Sequence, residues 1–264
     1  MDLQLKDKTA LVSGSTAGIG HAIATGLAQE GASVIINGRT QERVNEAIAA
    51  IKNMGATGKL SGLVVDLGTA AGVAQAVEQF PHVDILVNNL GIFEPKPFEE
   101  ISDADWMKFF EVNVLSGVRL SRAYLPEMRD RDWGRIIFIS SESAVQIPIE
   151  MIHYGMTKTA QIAVARGLAE TTVGTSITVN SILPGPTKSE GVMQFVEQMA
   201  TAQNKDLETA EHEFFQTVRP TSLIQRFATT EEVANLVTYV ASPLSSATNG
   251  AALRVDGGVV RSLL

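Results

Sequence analysis

Residues Thr9–Gly20 read TALVSGSTAGIG, a short apolar run that ends in three spaced glycines. A helical pattern of apolar residues follows at once, so the glycines connect a predicted strand to a predicted helix. In such a turn Gly14 permits the tight reversal, Gly18 lets the backbone approach a pyrophosphate, and Gly20 allows close helix–strand packing. The free N–H groups at the start of the helix attract the phosphates. The stretch therefore predicts a dinucleotide-binding turn at the beginning of a βαβ unit.

Short strand-like runs alternate with longer helical patterns along the whole chain. Strand cores such as Ile136–Ile139 are apolar throughout, which is typical of a parallel sheet covered by helices on both faces. The alternation predicts an α/β fold, a doubly wound parallel sheet of the Rossmann type with about seven strands. No repeat or linker divides the chain, so residues 1–264 are predicted to form one domain. The predicted strands are Thr9–Ser13, Ser33–Asn37, Leu63–Asp66, Asp84–Asn88, Arg135–Ser140, Thr175–Ile182 and Ala251–Val255.

The segment Lys188–Arg219 interrupts this alternation. Its pattern is helical, it lies between the sixth and seventh predicted strands, and from Lys188 to Glu213 it carries two Lys against six Asp and Glu. Elements inserted after the carboxyl end of a strand lie where ligands bind in open α/β sheets. We therefore predict that residues 188–219 form a helical lid before the last strand. Candidate contacts within it are Met193, Phe195 and Met199.

The composition is that of a globular protein, with 45% hydrophobic and 19% charged residues. The formal net charge of −8, from 21 Lys and Arg against 29 Asp and Glu, argues against a nucleic-acid partner. Because the chain has no Cys, disulfides, thiolate nucleophiles and Cys-based metal sites are excluded, which suits a reducing cytoplasm. The four His residues are scattered without zinc-binding spacing, so no metal site is expected.

No segment has the pattern of a membrane or targeting signal. Met1–Lys8 lacks the apolar core of a signal peptide. The uncharged stretch Val233–Leu253 is interrupted by Asn, Thr, Ser, Pro and Gly, which would leave polar groups unmatched in lipid. We therefore expect a soluble, cytoplasmic protein with no membrane contact.

The end of the second predicted strand discriminates between the two nicotinamide cofactors. About twenty residues beyond such glycines, an NAD site carries an Asp or Glu that accepts from the ribose 2′-hydroxyl. Asn37–Thr40 reads NGRT instead, and the Arg39 guanidinium can pair with the 2′-phosphate of NADP. Ser15 and Arg43 are further candidates for contacts with this phosphate. The sequence predicts NADP(H), with NAD as the alternative.

Tyr154 and Lys158 are candidates for proton transfer. They lie four residues apart in a helical segment, so they share one helix face. A free tyrosine has a pKa of about 10 and is a poor base near neutrality. A nearby ammonium favours the phenolate and moves this pKa toward the working pH. A Tyr-x3-Lys pair alone is common on helix surfaces, so its meaning depends on the other motifs.

Five motifs occur in the order found in the short-chain dehydrogenase/reductase family, and the chain resembles the single-domain members of about this length. Leu90 stands where the family's Asn-Asn-Ala-Gly motif has Ala. The motifs lie at Gly14–Gly20, Asp66–Leu67, Asn88–Gly91, Tyr154–Lys158 and Pro184–Thr187, and together they span nearly the whole chain. The resemblance implies that the cofactor is bound by Gly14, Ser15, Thr16, Gly18, Ile19, Gly20, Arg39, Asp66, Leu67, Asn89, Gly91, Tyr154, Lys158, Pro184, Gly185 and Thr187.

The intervals between Asn113, Ser141, Tyr154 and Lys158 are similar to those of the family's catalytic tetrad. The resemblance implies that Tyr154 is the acid in carbonyl reduction and the base in alcohol oxidation. It also implies that Lys158 tunes Tyr154 and binds the nicotinamide ribose, and that Ser141 donates to the substrate oxygen. Asn113 would hold a water that relays protons to Lys158. The rival Ser140 is expected to point to the opposite face of its strand.

The residues beside these motifs predict a mostly apolar pocket with a few polar groups. We expect a moderately apolar ketone or aldehyde to be reduced there. The alternatives are a 3-oxoacyl-carrier-protein reductase, which the acidic lid disfavours, a sugar or polyol dehydrogenase, and a non-catalytic NADP(H)-sensing protein. The predicted substrate contacts are Phe93, Ser141, Ser143, Gln146, Ile147, Tyr154 and Met193.

Two helical regions carry apolar residues on more than one face, which suggests packing against another subunit. They are Asp103–Met128, with Leu115, Val118 and Leu120, and Tyr154–Val173. Members of the family with this length usually form tetramers. We expect a homotetramer, with a dimer as the alternative.

Overall fold

The computed structural model describes residues 2–202 and 204–263, with the side chains of Met199 and Ala202 left out of the description. Its centre is a seven-stranded parallel sheet in the order β3-β2-β1-β4-β5-β6-β7. The predicted α/β fold is thereby confirmed. The strands are β1 (Thr9–Val12), β2 (Ser33–Gly38), β3 (Leu60–Val64), β4 (Ile85–Asn88), β5 (Gly134–Ile139), β6 (Ile177–Pro184) and β7 (Ala252–Val255).

Strand β3 begins three residues before the predicted start at Leu63. Among the described residues it is an edge strand that pairs with β2 alone, and it mixes buried, half-buried and exposed positions, whereas the central strands β4, β5 and β6 are buried throughout. The run Leu60–Gly62 is short of apolar residues because this edge needs to bury little surface. The apolar pattern therefore shows only the second half of the strand.

Nine helices connect the strands of the described chain, and helices pack on both faces of the sheet. A π-helical turn over Glu111–Leu115 separates two of them, and a short 3₁₀ turn over Glu142–Ala144 follows β5. The helices are α1 (Gly18–Gln29), α2 (Gln41–Asn53), α3 (Ala70–Gln79), α4 (Asp103–Phe110), α5 (Ser116–Asp130), α6 (Ile152–Glu170), α7 (Glu190–Ala202), α8 (Leu207–Thr217) and α9 (Thr230–Val240).

Two hydrophobic layers hold the helices to the sheet. Successive strand residues point to opposite faces, so Ile36 of β2 packs in one layer and Ile35 in the other. The first layer includes Ile23 of α1 and Val237 of α9, and the second includes Tyr124 of α5. Burial on both faces explains why the central strands are apolar throughout.

The predicted helical insertion before the last strand is present as α7 and α8. These helices enclose a small core of their own, separate from the two sheet layers, and Lys188, just before α7, pairs with Glu211 of α8 at 2.8 Å. The insertion follows the carboxyl end of β6, where the sheet carries its binding sites. Its core residues are Val196, Ala200, Ala210, Phe214, Phe215 and Phe227.

None of the helices in the described ranges is long and apolar enough to cross a bilayer. Nor do residues 2–202 and 204–263 contain three or more His, Asp or Glu side chains grouped as a metal ion would need.

Candidate active site

The turn after β1 needs glycine at its three glycine positions. Gly14 and Gly18 have φ of +62° and +56°, which L side chains rarely adopt. A Cβ on Gly20 would lie 2.4 Å from Asn89 Nδ2 and 2.5 Å from the Gly14 carbonyl oxygen. Asn89 Nδ2 in turn donates to the carbonyl oxygens of Ser13 at 2.9 Å and Gly14 at 3.2 Å. Asn89 therefore holds the glycine turn in shape.

Helix α1 presents its amino end to this turn. Ala17 is the residue before the helix, and within the described chain no side chain caps it. The N–H groups of the first helical turn are thus available to an anion, and the helix dipole favours negative charge there. Thr16 beside them lines the groove that runs along the carboxyl edge of the sheet.

This glycine groove has a volume of about 380 Å³. Among the described residues, three cationic side chains line it, Arg39, Arg43 and Lys108, against one carboxylate, that of Asp66. A groove of this charge suits a phosphate-bearing ligand. Its lining also includes Gly14, Thr16, Asn37, Gly38, Thr40, Val65, Leu67, Leu90, Gly91, Ile92 and Val112.

Ser15 does not line this groove, contrary to the expected phosphate contact. The residue is 0% exposed, and its Oγ accepts a hydrogen bond from the Asn37 N–H at 2.9 Å. Asn37 Oδ1 accepts from the Gly14 N–H at 3.0 Å, so the two side chains tie the glycine turn to β2. The sequence places Ser15 in the turn, but the packing of the turn against β2 encloses its hydroxyl.

A larger cavity of about 600 Å³ lies in front of Ser141 and Tyr154. Ser141 is the second residue after β5, and Tyr154 lies in the first turn of α6. Phe93 contacts Tyr154 with ring centroids 6.4 Å apart. The predicted residues Ile19, Ser143, Pro184, Gly185 and Thr187 also line this cavity.

Three predicted substrate contacts lie outside the cavity lining. Gln146 and Ile147 are exposed in the loop after the 3₁₀ turn, and Ile147 packs over Gly155 of α6 instead. On α7, Val192 and Phe195 face the cavity, and Met193 lies about 100° around the helix from Val192. The Met199 side chain falls outside the described part of the structure.

Lys158 is buried behind Tyr154. Its Nζ donates to the Ile139 carbonyl oxygen at 2.9 Å and to Gln161 Oε1 at 3.2 Å. It lies 5.6 Å from the centre of the Tyr154 ring. The Ser140 hydroxyl donates to the Lys158 carbonyl oxygen at 2.8 Å and holds the helix against β5.

Burial dominates the electrostatics of this pair. It lowers the pKa of Lys158 to about 7. It also raises the pKa of Tyr154 well above its usual range, and the negative charge of Glu142 adds to that rise, whereas Ser141 and Arg219 oppose it. The phenol is therefore protonated at neutral pH, and the site holds a proton donor facing the cavity.

Asn113 lies in the π-helical turn and is fully buried. Its Oδ1 accepts from the Ile92 N–H at 2.7 Å, and its Nδ2 donates to Thr157 Oγ1 at 3.0 Å. Its main-chain carbonyl oxygen accepts from Gln161 Nε2 at 2.6 Å. The Gln161 amide thus connects the Asn113 carbonyl directly to the Lys158 ammonium.

Sequence reasoning missed three residues of the site. Gln161 could have been found, because it lies three residues after Lys158 on the same helix face. Glu142 accepts from Ser141 Oγ at 2.5 Å, and Arg219 Nε donates to Glu142 at 3.1 Å. No local pattern connects Arg219 with Glu142, since 77 residues separate them.

Comparison with known proteins identifies relatives over the full length of the chain. The family model of the short chain dehydrogenases matches residues 8–200. The chain is 52% identical over 263 residues to the uncharacterized oxidoreductase YvaG of Bacillus subtilis (strain 168), covering 100% of both chains. It is 32% identical to the 3-oxoacyl-[acyl-carrier-protein] reductase FabG of Aquifex aeolicus (strain VF5), covering 98% of this chain and 100% of the relative.

A solved structure with a similar fold is that of L-sorbose reductase from Gluconobacter frateurii, complexed with NADPH and L-sorbose. It superposes with a TM-score of 0.93 at 31% identity and covers 100% of both chains.

Proposed function

The chain belongs to the short-chain dehydrogenase family, and we propose that it is an NADP(H)-dependent oxidoreductase that reduces the carbonyl group of a moderately apolar ketone or aldehyde. One observation carries the proposal: a half-buried, protonated Tyr154 and Ser141 line one cavity, with Lys158 directly behind Tyr154. The glycine groove reaches the same edge of the sheet and suits a dinucleotide.

Arg39 and Arg43 support NADP(H) as the cofactor. Both line the glycine groove at the end of β2, where a site for NAD would carry a carboxylate. Arg43 also pairs with Glu190 of α7 at 3.3 Å, which links the groove to the insertion. The L-sorbose reductase of similar fold was solved with NADPH. When bound, the nicotinamide supplies the hydride that reduces the carbonyl carbon.

The chain's own residues supply the proton. Tyr154 Oη donates its proton to the carbonyl oxygen as negative charge develops there. The Ser141 hydroxyl donates to Glu142 in this structure, so the hydroxyl must rotate to donate to the carbonyl oxygen and stabilise that charge. Lys158 then stabilises the phenolate that remains on Tyr154. A tyrosine protonated at rest is in the form that carbonyl reduction requires.

Reduction of a ketose, or the reverse oxidation of a polyol, is the second candidate. The full-length similarity to the L-sorbose reductase favours it. Sequence identity does not separate the two candidates, because the FabG relative is 32% identical and the L-sorbose reductase 31% identical to this chain. The acidic insertion α7–α8 argues against the carrier-protein substrate, because it would repel an acidic carrier protein. A purely sensing role is disfavoured, because Tyr154 and Lys158 are both present.

The test measures the oxidation of NADPH, and in parallel of NADH, by its absorbance. The candidate substrates are small aldehydes, aryl ketones, β-keto esters, ketoses and a 3-oxoacyl thioester. In Tyr154→Phe we expect turnover to fall by about 10²–10⁴-fold, because the proton donor is removed. NADPH binding should change less than twofold. Tyr124→Phe is the matched control, since Tyr124 is buried in α5 and donates to the Phe80 carbonyl oxygen far from the cavity. Equal turnover in Tyr154→Phe and wild type would refute the mechanism.

We further propose that the protein is cytoplasmic and assembles as a homotetramer through α5 and α6. Val118 of α5 and Ile162, Val164 and Leu168 of α6 are only half-buried in the single chain. A partner subunit would cover these apolar side chains.

A further inference from the structure

Three charged side chains line the cavity within the described structure. They are Glu142, Glu150 and Arg219. Arg219 Nε donates to Glu142 Oε1 at 3.1 Å, and Arg219 Nη1 donates to Glu150 Oε1 at 3.2 Å. One guanidinium therefore faces two carboxylates, and this Glu–Arg–Glu cluster carries a formal net charge of −1.

The cluster lies next to the reacting position. Glu142 is 5% exposed, follows Ser141 directly, and accepts the Ser141 hydroxyl proton at 2.5 Å. Both Glu142 carboxylate oxygens are thus occupied, one by Arg219 and one by Ser141. Arg219 is 8% exposed, so the ion pair is shielded from solvent and little screened by salt.

Glu150 lies at the mouth of the cavity, with its side chain 36% exposed. It holds the second carboxylate of the cluster, and its Oε1 receives the Arg219 Nη1 hydrogen bond. Around it the cavity wall is apolar, formed by Phe93, Ile149, Phe195 and other side chains. A carboxylate only accepts hydrogen bonds, so a ligand that pairs with it must bring a donor.

We propose that the Glu–Arg–Glu cluster selects the substrate class, namely neutral carbonyl compounds that carry a hydroxyl group near the carbonyl. Substrates with a carboxylate or phosphate near the reacting carbon are rejected, because Arg219 is already paired and the remaining charge is negative. The hydroxyl of a neutral substrate donates to the cluster through Glu150. This inference rests on the proposed carbonyl reductase function.

The expected selectivity follows from Coulomb's law. A substrate carboxylate about 6 Å from one uncompensated charge loses about 100-fold in kcat/KM at an effective dielectric constant of about 20. A hydrogen bond from a neutral hydroxyl to a carboxylate gains about 10-fold.

The experiment compares substrates that differ in one feature. Acetoacetate and its methyl ester differ in charge, and 4-hydroxy-2-butanone and 2-butanone differ in the hydroxyl. We expect wild type with NADPH to prefer the ester by about 100-fold and the hydroxyketone by about 10-fold. In Glu150→Gln the cluster is neutral, and the preference for the ester should fall at least about tenfold.

Glu46→Gln is the matched control, because it removes one negative charge on the exposed face of α2 and leaves the cavity unchanged. It should keep the wild-type preference. A wild-type preference below threefold, or the same preference in Glu150→Gln as in wild type, would overturn the charge selection. No gain from the hydroxyl would overturn the assignment to hydroxylated substrates.

Ligand binding separates this inference from the proposed function. The same four compounds are titrated into Tyr154→Phe loaded with NADPH, and quenching of the cofactor fluorescence reports their affinity. Equal affinity for the acid and the ester overturns the charge selection whatever the turnover. A preserved charge preference in binding, combined with no turnover in wild type, supports the selection and refutes the reductase function alone.

Discussion

Replacing Gln161 by Met tests how the charge of Lys158 is maintained. Gln161 is buried, accepts from Lys158 Nζ at 3.2 Å through Oε1, and donates to the Asn113 carbonyl oxygen at 2.6 Å through Nε2. Met fills a similar volume, cannot donate to the Asn113 carbonyl oxygen, and offers Lys158 only the weak acceptor of its thioether sulfur. Lys158 then keeps the Ile139 carbonyl oxygen as an acceptor.

The expected shift follows from the hydrogen bond that is lost. A buried hydrogen bond to a charged group contributes about 1.5–3 kcal/mol, which favours the charged form of Lys158. At about 1.4 kcal/mol per pKa unit, its loss lowers the pKa of Lys158 by about one to two units. Since that pKa is about 7 in wild type, the variant should lose the ammonium at a pH one to two units lower.

The assay is the pH dependence of kcat/KM for NADPH-dependent reduction. Because Tyr154 needs the Lys158 ammonium to stabilise its phenolate, activity falls as the pH rises through the pKa of Lys158. In Gln161→Met this falling limb should move to lower pH. Gln161→Glu is the opposing variant, because a carboxylate raises the pKa of Lys158 and should move the limb to higher pH. Falling limbs that coincide in wild type and both folded variants would refute the role of Gln161.

Three further predictions concern the groove, the glycine turn and the assembly. Arg39→Ala should raise the KM for NADPH by about 10-fold or more, because it removes a charge-assisted hydrogen bond to the 2′-phosphate. The KM for NADH should stay nearly unchanged, and equal effects on both cofactors would contradict the role of Arg39 in selecting NADPH. Ser15→Ala should lower the free energy of unfolding, measured by urea denaturation, by about 1–3 kcal/mol, because the buried Asn37 N–H loses its acceptor. A large rise in the KM for NADPH at unchanged stability would instead assign Ser15 to cofactor binding. Light scattering should give the mass of four chains of 28.2 kDa each, and a monomeric mass would exclude the proposed packing through α5 and α6.

Much of the fold could be predicted from the sequence, because its signals are local. The central strands are continuous apolar runs, since both faces of the sheet are covered. The edge strand β3 was predicted with its start too late, because an edge buries less and its apolar pattern is shorter. The helical pattern between the sixth and seventh predicted strands indicates the insertion, which forms α7 and α8.

The candidate site also has residues that the sequence could predict and residues that it could not. Tyr154 and Lys158 could be paired from their spacing on one helix, and the glycine turn from the order of strand, glycines and helix. The positions of Gln146, Ile147 and Met193 could not be predicted, because adjacency to a motif does not determine which way a loop or helix residue points.

The sequence by itself determined the order of strands and helices, the glycine turn and the Tyr154–Lys158 pair, because each depends on residues within a few positions of one another. Only the tertiary structure decided that Ser15 is enclosed by β2, that Gln161 connects Asn113 to Lys158, and that Arg219 reaches Glu142. The physical reason is that these contacts join segments separated by 22 to 77 residues, apart from the one-turn pair of Gln161 and Lys158. Such contacts form where the packed sheet brings the carboxyl ends of distant strands together, and no local pattern records them.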